Sequence, residues 1–463
     1  MKAKNINRTI LIFALLFSFL ASAYDPLVGA EYRIKKYRTR KVVVYLVDNK
    51  GKPVSFVPFQ LNMQRHQFLF GCNLFMFNRF PSQKENQKYL ELWKNLFNYA
   101  TIPIYLCRFS PKQKQRNIRW LDELVDWCEE NHITIKAHPL IWHTKAGSPD
   151  WLPSQPDQVE EVLKEQIEFL LKRYKGRIQF WDLLNEPTTT WLNRTQVANW
   201  ENKIGPVAVV EKGLSWAKSQ DPNSKFLVND YLLRSVDGLA KAISSFKKIK
   251  YLLQDPIKHY PVSYYRFVKA LKKQGIEIDG VGLQSHMHKR LWDWVELAKI
   301  CERYSRLSLP LQFSEITILS GELRQHIDYS NWQNNLPWQS TAWGEQRQAD
   351  YVEKFYTYLF SQPKVMAITW WDFSDRGAWL NAPAGLVRAD LTPKPAYFRL
   401  YQLIRKRWWT QLEGNTDKEG KFEFRGFCGE YQLDAKGFAP AGFKIDCQKK
   451  NGQTIYIQLF PKK

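Results

Sequence analysis

Beyond residue 67 the chain alternates short apolar runs with amphipathic stretches. The apolar runs fall near residues 68–72, 99–104, 133–138, 178–184, 224–229, 278–284, 310–316 and 366–371, and each is followed by a stretch with helical spacing. The clearest helix begins at Pro156: Val159, Val162, Leu163, Ile167, Leu170, Leu171 and Tyr174 recur in steps that keep one face apolar, and Gly176 follows as a stop signal. Strand–helix repeats of this kind build a parallel sheet. Eight of them are the count that closes a (β/α)8 barrel of the TIM type, an α/β fold.

The text on either side has strand rather than helix character. From Tyr32 to Phe70 it reads as a small antiparallel β module, with Lys41 to Val47, a turn at Asp48-Asn49-Lys50-Gly51-Lys52-Pro53, and a second apolar run. After Trp409 three strand-like segments, Lys421 to Phe427, Glu430 to Leu433 and Thr454 to Ile457, are separated by Gly-rich turns and predict a C-terminal β appendage without chemistry of its own. At the N-terminus, basic residues precede the apolar run Thr9 to Leu20, and Ala21-Ser22-Ala23 supplies a cleavage pattern. The division predicted is therefore 1–23 signal peptide, 24–66 N-terminal β module, 67–408 barrel and 409–463 C-terminal appendage. The apolar run is short for a membrane anchor, the alternative reading. The mature chain is expected to be secreted, extracellular or periplasmic, with no stable membrane insertion, and to act as a monomer.

The formal charge of +23 suits an acidic partner, but the basic residues are dispersed, and short clusters such as Lys247-Lys248-Ile249-Lys250 and Arg405-Lys406-Arg407 read as solvated faces. Nucleic-acid binding would call for clustered basic residues interleaved with aromatics, so no nucleic-acid partner is expected. The six cysteines have no CxxC spacing, against a zinc knuckle or a thioredoxin-type motif. Cys428 and Cys447 share one β-rich segment and could pair. Cys72, Cys107, Cys128 and Cys301 stand in apolar contexts typical of core cysteines.

Polar and aromatic residues collect where the predicted strands end: His138 to His143, Asn185-Glu186, Gln284 to His288, Glu315 and Trp370-Trp371-Asp372. In a barrel these ends meet at one face, where active sites of this fold are built. Glu186 and Glu315 lie on different strands. A carboxyl pair of this kind is what glycosidic hydrolysis requires, one protonated at the leaving oxygen and one ionised at the sugar carbon. Two other readings use the same residues. His286 and His288 with Asp372 or Asp375 would suit a metal-dependent hydrolase, although zinc needs three or four ligands and an open position. A catalytically impaired carbohydrate-binding barrel is the second.

Read together, these segments resemble glycoside hydrolase family 10, the endo-β-1,4-xylanase family, over about residues 68 to 405. Trp181-Asp182-Leu183-Leu184-Asn185-Glu186-Pro187 resembles its acid/base segment W-D-V-V-N-E, and Phe313-Ser314-Glu315-Ile316 its nucleophile segment. His138 to His143 matches H-x-L-x-W-H, Asn229-Asp230-Tyr231 matches N-D-Y, Gln284-Ser285-His286 matches Q-S-H, and Ile368 to Trp379 resembles the final strand with its tryptophans. The resemblance implies a retaining glycosidase without cofactor or metal, acting on xylan or a related plant-type β-1,4-glycan. Glu186 becomes the acid/base and Glu315 the nucleophile. Asn185 would bond the sugar 2-hydroxyl, and His286 would neighbour the nucleophile. His138, Trp142, Gln284, Trp371 and Trp379 would line the sugar site, with Tyr231 on the aglycone side.

The chain departs from the family at two places. Where the family has T-x-E-N-x-x-K on the second strand, this chain reads Thr101-Ile102-Pro103-Ile104-Tyr105-Leu106-Cys107, so three groups that hold glycone hydroxyls are replaced. Where the family has an Asp two residues past the nucleophile to orient the histidine, this chain has Thr317, which leaves Arg108 or His288 to take over that task. Arg108 is also the nearest candidate partner for an acidic substituent on the substrate.

Overall fold

The computed structural model describes residues 25–113, 115–231, 233, 263–329, 334–449 and 452–462. The expected signal peptide and the cluster Lys247-Lys248-Ile249-Lys250 lie outside the described residues. Two strands, β1 (Thr39–Val47) and β2 (Pro58–His66), precede the barrel. The barrel is built from β3 (Leu69–Asn73), β4 (Tyr99–Pro103), β5 (Thr134–His138), the short β6 (Ile141–Trp142), β7 (Phe180–Asn185), β8 (Lys225–Asp230), β9 (Gly280–Met287), β10 (Leu311–Ile318) and β11 (Val365–Trp370). All their pairings are parallel, β11 joins β3, and a β5–β7 pairing closes the ring, while β6 only flanks β7. Eight strands thus form the closed barrel that the alternating pattern predicts.

Strands such as β10 are buried along their whole length, because one face fills the barrel and the other meets the helices. The helix predicted after Pro156 spans Pro156–Arg173 and turns Val159, Leu163, Ile167, Leu170 and Leu171 inward.

The two terminal β regions are not separate units, which corrects the expected division. β1 pairs antiparallel with β13 (Lys421–Phe427) and parallel with β16 (Gln453–Gln458). β2 joins a second sheet in the order β12-β2-β14-β15, with β12 Gln411–Asn415, β14 Gly429–Ala435 and β15 Ala441–Ile445. Val42, Val44 and Leu46 of β1 share a core with Leu61, Met63, Tyr431, Leu433 and Ile445, so strands from both ends of the chain bury one common interior. The strand-like text at Tyr32 is also corrected. Ala30–Arg38 is a helix, and the Arg38 guanidinium donates to the carbonyls of Phe360, Gln362 and Val365 at the foot of the barrel.

Cys428 and Cys447 form a disulfide within this β unit. Cys72, Cys128 and Cys301 are buried, whereas Cys107 is only partly so and its thiol meets the Lys145 carbonyl at 2.8 Å, not the core. The β unit sits at the N-terminal ends of the barrel strands: β2 runs directly into β3, Arg65 donates to Thr134 at the start of β5, and Asn98 donates to the His66 carbonyl. That is the end opposite the strand termini carrying Glu186 and Glu315.

Candidate active site

Glu186 is the first residue past β7, and its backbone adopts φ 60°, the left-handed region that a β-carbon disfavours. Its N–H donates to the Asn229 carbonyl at 2.7 Å and its carbonyl accepts from Thr189, so the chain reverses there and the side chain enters the barrel mouth. Strain of this type costs about 1–3 kcal/mol and persists where the surroundings impose it. Glu315 sits within β10, in register with Gln284 of β9.

The two carboxyls are linked by a relay of amides. Gln284 Nε2 donates to Glu186 Oε1 at 3.2 Å and to Asn185 Oδ1 at 3.3 Å, while Asn229 Nδ2 donates to Asn185 Oδ1 at 2.8 Å and to Glu315 Oε1 at 2.6 Å. Ser314 Oγ donates to Asn229 Oδ1 at 2.6 Å and fixes the orientation of that amide. The close fit explains the glycine at 282, since a β-carbon there would stand 2.3 Å from Asn229 Oδ1.

The environments of the two acids differ. Burial, joined by the charges of Glu315 and Asp230, raises the Glu186 pKa against the opposing influence of His143 and of the Gln284 hydrogen bond. Burial also works to raise the Glu315 pKa. Here the neighbouring His138 charge and the His286 hydrogen bond prevail, and the net effect holds it below the ordinary carboxylate range.

The sequence-predicted residues converge around this pair. Trp142 Nε1 donates to Glu186 Oε2 at 3.1 Å, and His286 Nε2 lies 3.1 Å from Glu315 Oε2. His138 Nε2 lies 3.8 Å from Glu315 Oε1. Trp371 is buried as the floor, its ring 5.4 Å from His138 and 6.0 Å from His286, and Trp379 packs 4.8 Å from His286. Tyr231 stands exposed at the rim, close enough to Glu186 to sense its charge.

Two expectations are corrected. Thr317 itself takes the orienting position, with Oγ1 2.8 Å from His286 Nδ1. Arg108 is committed elsewhere: Nη2 donates to the Phe75 carbonyl at 2.8 Å and the guanidinium stacks 4.7 Å from the Trp120 ring. With both ring nitrogens of His286 engaged by protein oxygens, the His286/His288 pair is a poor metal ligand. Among the described residues no group of three or more His, Cys, Asp or Glu side chains is arranged to hold a metal ion.

The residue pattern did not single out Asp182, Lys136 or Tyr105. Asp182 Oδ2 accepts from His138 Nδ1 at 2.7 Å and pairs with the fully buried Lys136 at 2.9 Å, which turns His138 Nε2 toward Glu315. Charged residues inside apolar strands were the available signal. On the glycone side, Pro103 and Ile104 are buried and Tyr105 forms the wall, its ring 5.7 Å from His138, 5.6 Å from Trp142 and 5.6 Å from Phe75.

A closed (β/α)8 barrel presents two carboxyls at its strand-end face, and a family match makes this chain a glycoside hydrolase. Residues 78–403 match glycosyl hydrolase family 10, and the chain belongs to that family. It is similar to endo-1,4-beta-xylanase B of Thermotoga neapolitana, 24% identical over 344 residues that cover 71% of this chain and 87% of that one. It is also similar to anti-sigma-I factor RsgI6 of Acetivibrio thermocellus, 24% identical over 436 residues, a match that spans 92% of this chain and about half, 49%, of that protein. Among solved structures, xylanase 10B from Thermotoga petrophila RKU-1 in complex with xylobiose superposes with a TM-score of 0.57 at 22% identity, covering 74% of this chain and 95% of that one. That likeness carries the barrel fold.

Proposed function

We propose that the protein is a secreted, retaining β-1,4-glycanase that cleaves xylan or a closely related glycan, with Glu186 as acid/base and Glu315 as nucleophile. The observation that carries this reading is the opposite bias of two carboxyls in one cleft, Glu186 toward the protonated form and Glu315 toward the ionised form. Environments that push two carboxyl pKa values apart assign acid and base roles. The xylanase names among the relatives support the substrate class.

In the first step Glu315 attacks the anomeric carbon while Glu186 gives its proton to the glycosidic oxygen, which departs as an alcohol. In the second, Glu186 takes a proton from water as the water oxygen attacks the anomeric carbon of the glycosyl–Glu315 ester, and the bond to Glu315 breaks to release the carboxylate. Asn185, held by Gln284 and Asn229, presents its amide N–H2 to the 2-hydroxyl. Trp142, Trp371 and Trp379 offer ring faces to the sugar, while the Trp142 indole N–H stays on Glu186. A barrel that only binds sugar would answer to the apolar Pro103 to Cys107 wall, but it gives no reason for the opposite bias of the two acids.

Export is supported by the basic start, the run Thr9 to Leu20 and Ala21-Ser22-Ala23. Mass spectrometry of the exported protein should give a mature N-terminus at Tyr24. Mechanism is tested by following the product anomer by NMR during hydrolysis of a β-xylo-oligosaccharide. The β-anomer should appear first, and initial release of the α-anomer would overturn the double displacement.

A further inference from the structure

Trp343 is 71% exposed, which is unusual for an indole and leaves an apolar face in water. It opens the helix Ala342–Ser361, at the end of the βα unit that faces the catalytic cleft. The ring is held rather than loose. The Arg347 guanidinium lies 4.7 Å from its centroid, and Arg347 Nη2 is in turn fixed by the carbonyls of Leu319 and Gly321, just past the strand that carries Glu315. One indole face is thereby backed by a cation and the ring is set before any ligand arrives.

Beside Trp343 a cleft of about 360 Å³ runs between this helix and the helix Trp294–Ser305. Trp294 and Tyr351 stack on its floor, centroids 4.8 Å apart with planes at 19°, and the Tyr351 hydroxyl is bonded to the Trp292 carbonyl. Along one edge stand Gln346, Asp350 and Lys354, spaced one helical turn apart, so polar groups recur about every 6 Å beside the aromatic strip. Asp350 is already paired, accepting from Gln346 at 2.9 Å and lying 3.6 Å from Arg399. Of the charges that line the cleft, Arg347 is held on the Trp343 ring and the Leu319 and Gly321 carbonyls, which leaves Asp350 and Lys354 along the edge, one of each sign.

We propose that this cleft is a second carbohydrate-binding site, separate from the catalytic centre, which takes a neutral, unbranched run of β-linked pyranoses. A pyranose has an apolar C–H face that matches the indole and equatorial hydroxyls that match the spaced amide, carboxylate and ammonium groups. The choice of glycan rests on the glycanase reading above. Trp343 opens a helix that follows β10, at the end of the barrel where the two carboxyls stand, so a long polymer held in the cleft raises the effective concentration of its own chain at the barrel mouth.

Calorimetric titration of the full chain with linear xylohexaose tests this, using Glu315→Gln to prevent turnover, alone and combined with Trp343→Ala. The expected stoichiometry is two oligosaccharides per chain, falling to one with Trp343→Ala. In the otherwise native chain, Trp343→Ala should leave kcat/KM on a short aryl glycoside unchanged and lower the rate on insoluble xylan several-fold. A stoichiometry of one in both proteins would overturn the proposal. So would a second site that accepts only glucuronic-acid-substituted oligosaccharide and is lost with salt, or sedimentation showing a dimer that Trp343→Ala dissolves, which would make the cleft a contact between copies. Loss of the sole binding event on Trp343→Ala, with the native chain cleaving no β-1,4-glycan, would sink the catalytic reading and support this site.

Discussion

Thr317 holds His286 by a single hydroxyl, Oγ1 to Nδ1 at 2.8 Å, while Nε2 of the same ring lies 3.1 Å from Glu315. A hydroxyl orients the imidazole without bringing a second negative charge near the nucleophile. Thr317→Val keeps the shape and removes the hydrogen bond, which contributes about 0.5–1.5 kcal/mol. The expected result is a fall in kcat of roughly 2- to 12-fold with little change in KM. An unchanged kcat would mean that packing against Trp379 alone positions the ring.

Glu186→Ala should lower kcat/KM by about 10²- to 10⁴-fold on xylosides with poor leaving groups and far less on those whose leaving group departs without a proton. Glu315→Gln should abolish turnover on both. Equal losses for the two classes of leaving group in Glu186→Ala would refute its role as acid.

The pH profile of kcat/KM should be a bell. Activity needs ionised Glu315, so the acid limb falls below the ordinary carboxylate value, and it needs protonated Glu186, so the basic limb falls above it. Gln284 donates to the ionised form of Glu186. Gln284→Ala removes that support, the Glu186 pKa rises further, and the basic limb should move to higher pH. A basic limb that stays put or moves down would detach it from Glu186.

Pro103, Ile104 and Cys107 stand where the family pattern has hydroxyl-binding groups, and Tyr105 between them packs against Phe75. Lengthening the substrate on the glycone side should then add little. Each missing hydrogen bond withholds about 0.5–1.5 kcal/mol, so kcat/KM should rise only a few-fold from one glycone sugar to three. A rise of orders of magnitude would show that other groups bind the distal sugar. Arg108, stacked on Trp120 and bonded to Phe75, should make no difference to substrates with an acidic substituent.

Asp182 neutralises Lys136 in the barrel interior, both side chains being 0% exposed. Asp182→Asn leaves a buried ammonium without its countercharge and should cost about 3–5 kcal/mol in urea unfolding. Burial works to raise the Asp182 pKa, but Lys136 and His138 hold it below its ordinary value, so its contribution is full above the unfolded carboxyl pKa and lost as pH falls through the folded one. The gap between native chain and variant should narrow in acid. A gap that widened there would assign the stability to another group.

The amino-acid sequence by itself determined the eight barrel strands, the helix after Pro156 and the two strand-end carboxyls. Each is written in local periodicity, because a strand buried on both faces must be an apolar run and a helix against the barrel must be apolar on one side. The tertiary structure alone decided the partners. β1 pairs with strands more than three hundred residues away, and no local pattern names a distant partner, so two apparent modules became one sandwich. The helix Ala30–Arg38 likewise depends on Arg38 finding carbonyls near Phe360. At the candidate site, Glu186 and Glu315 were legible as residue types, but their opposite electrostatic bias was not. It arises from the burial of Glu186, and from His138, turned by Asp182 and Lys136, and His286 beside Glu315, and those surroundings exist only once the barrel has closed.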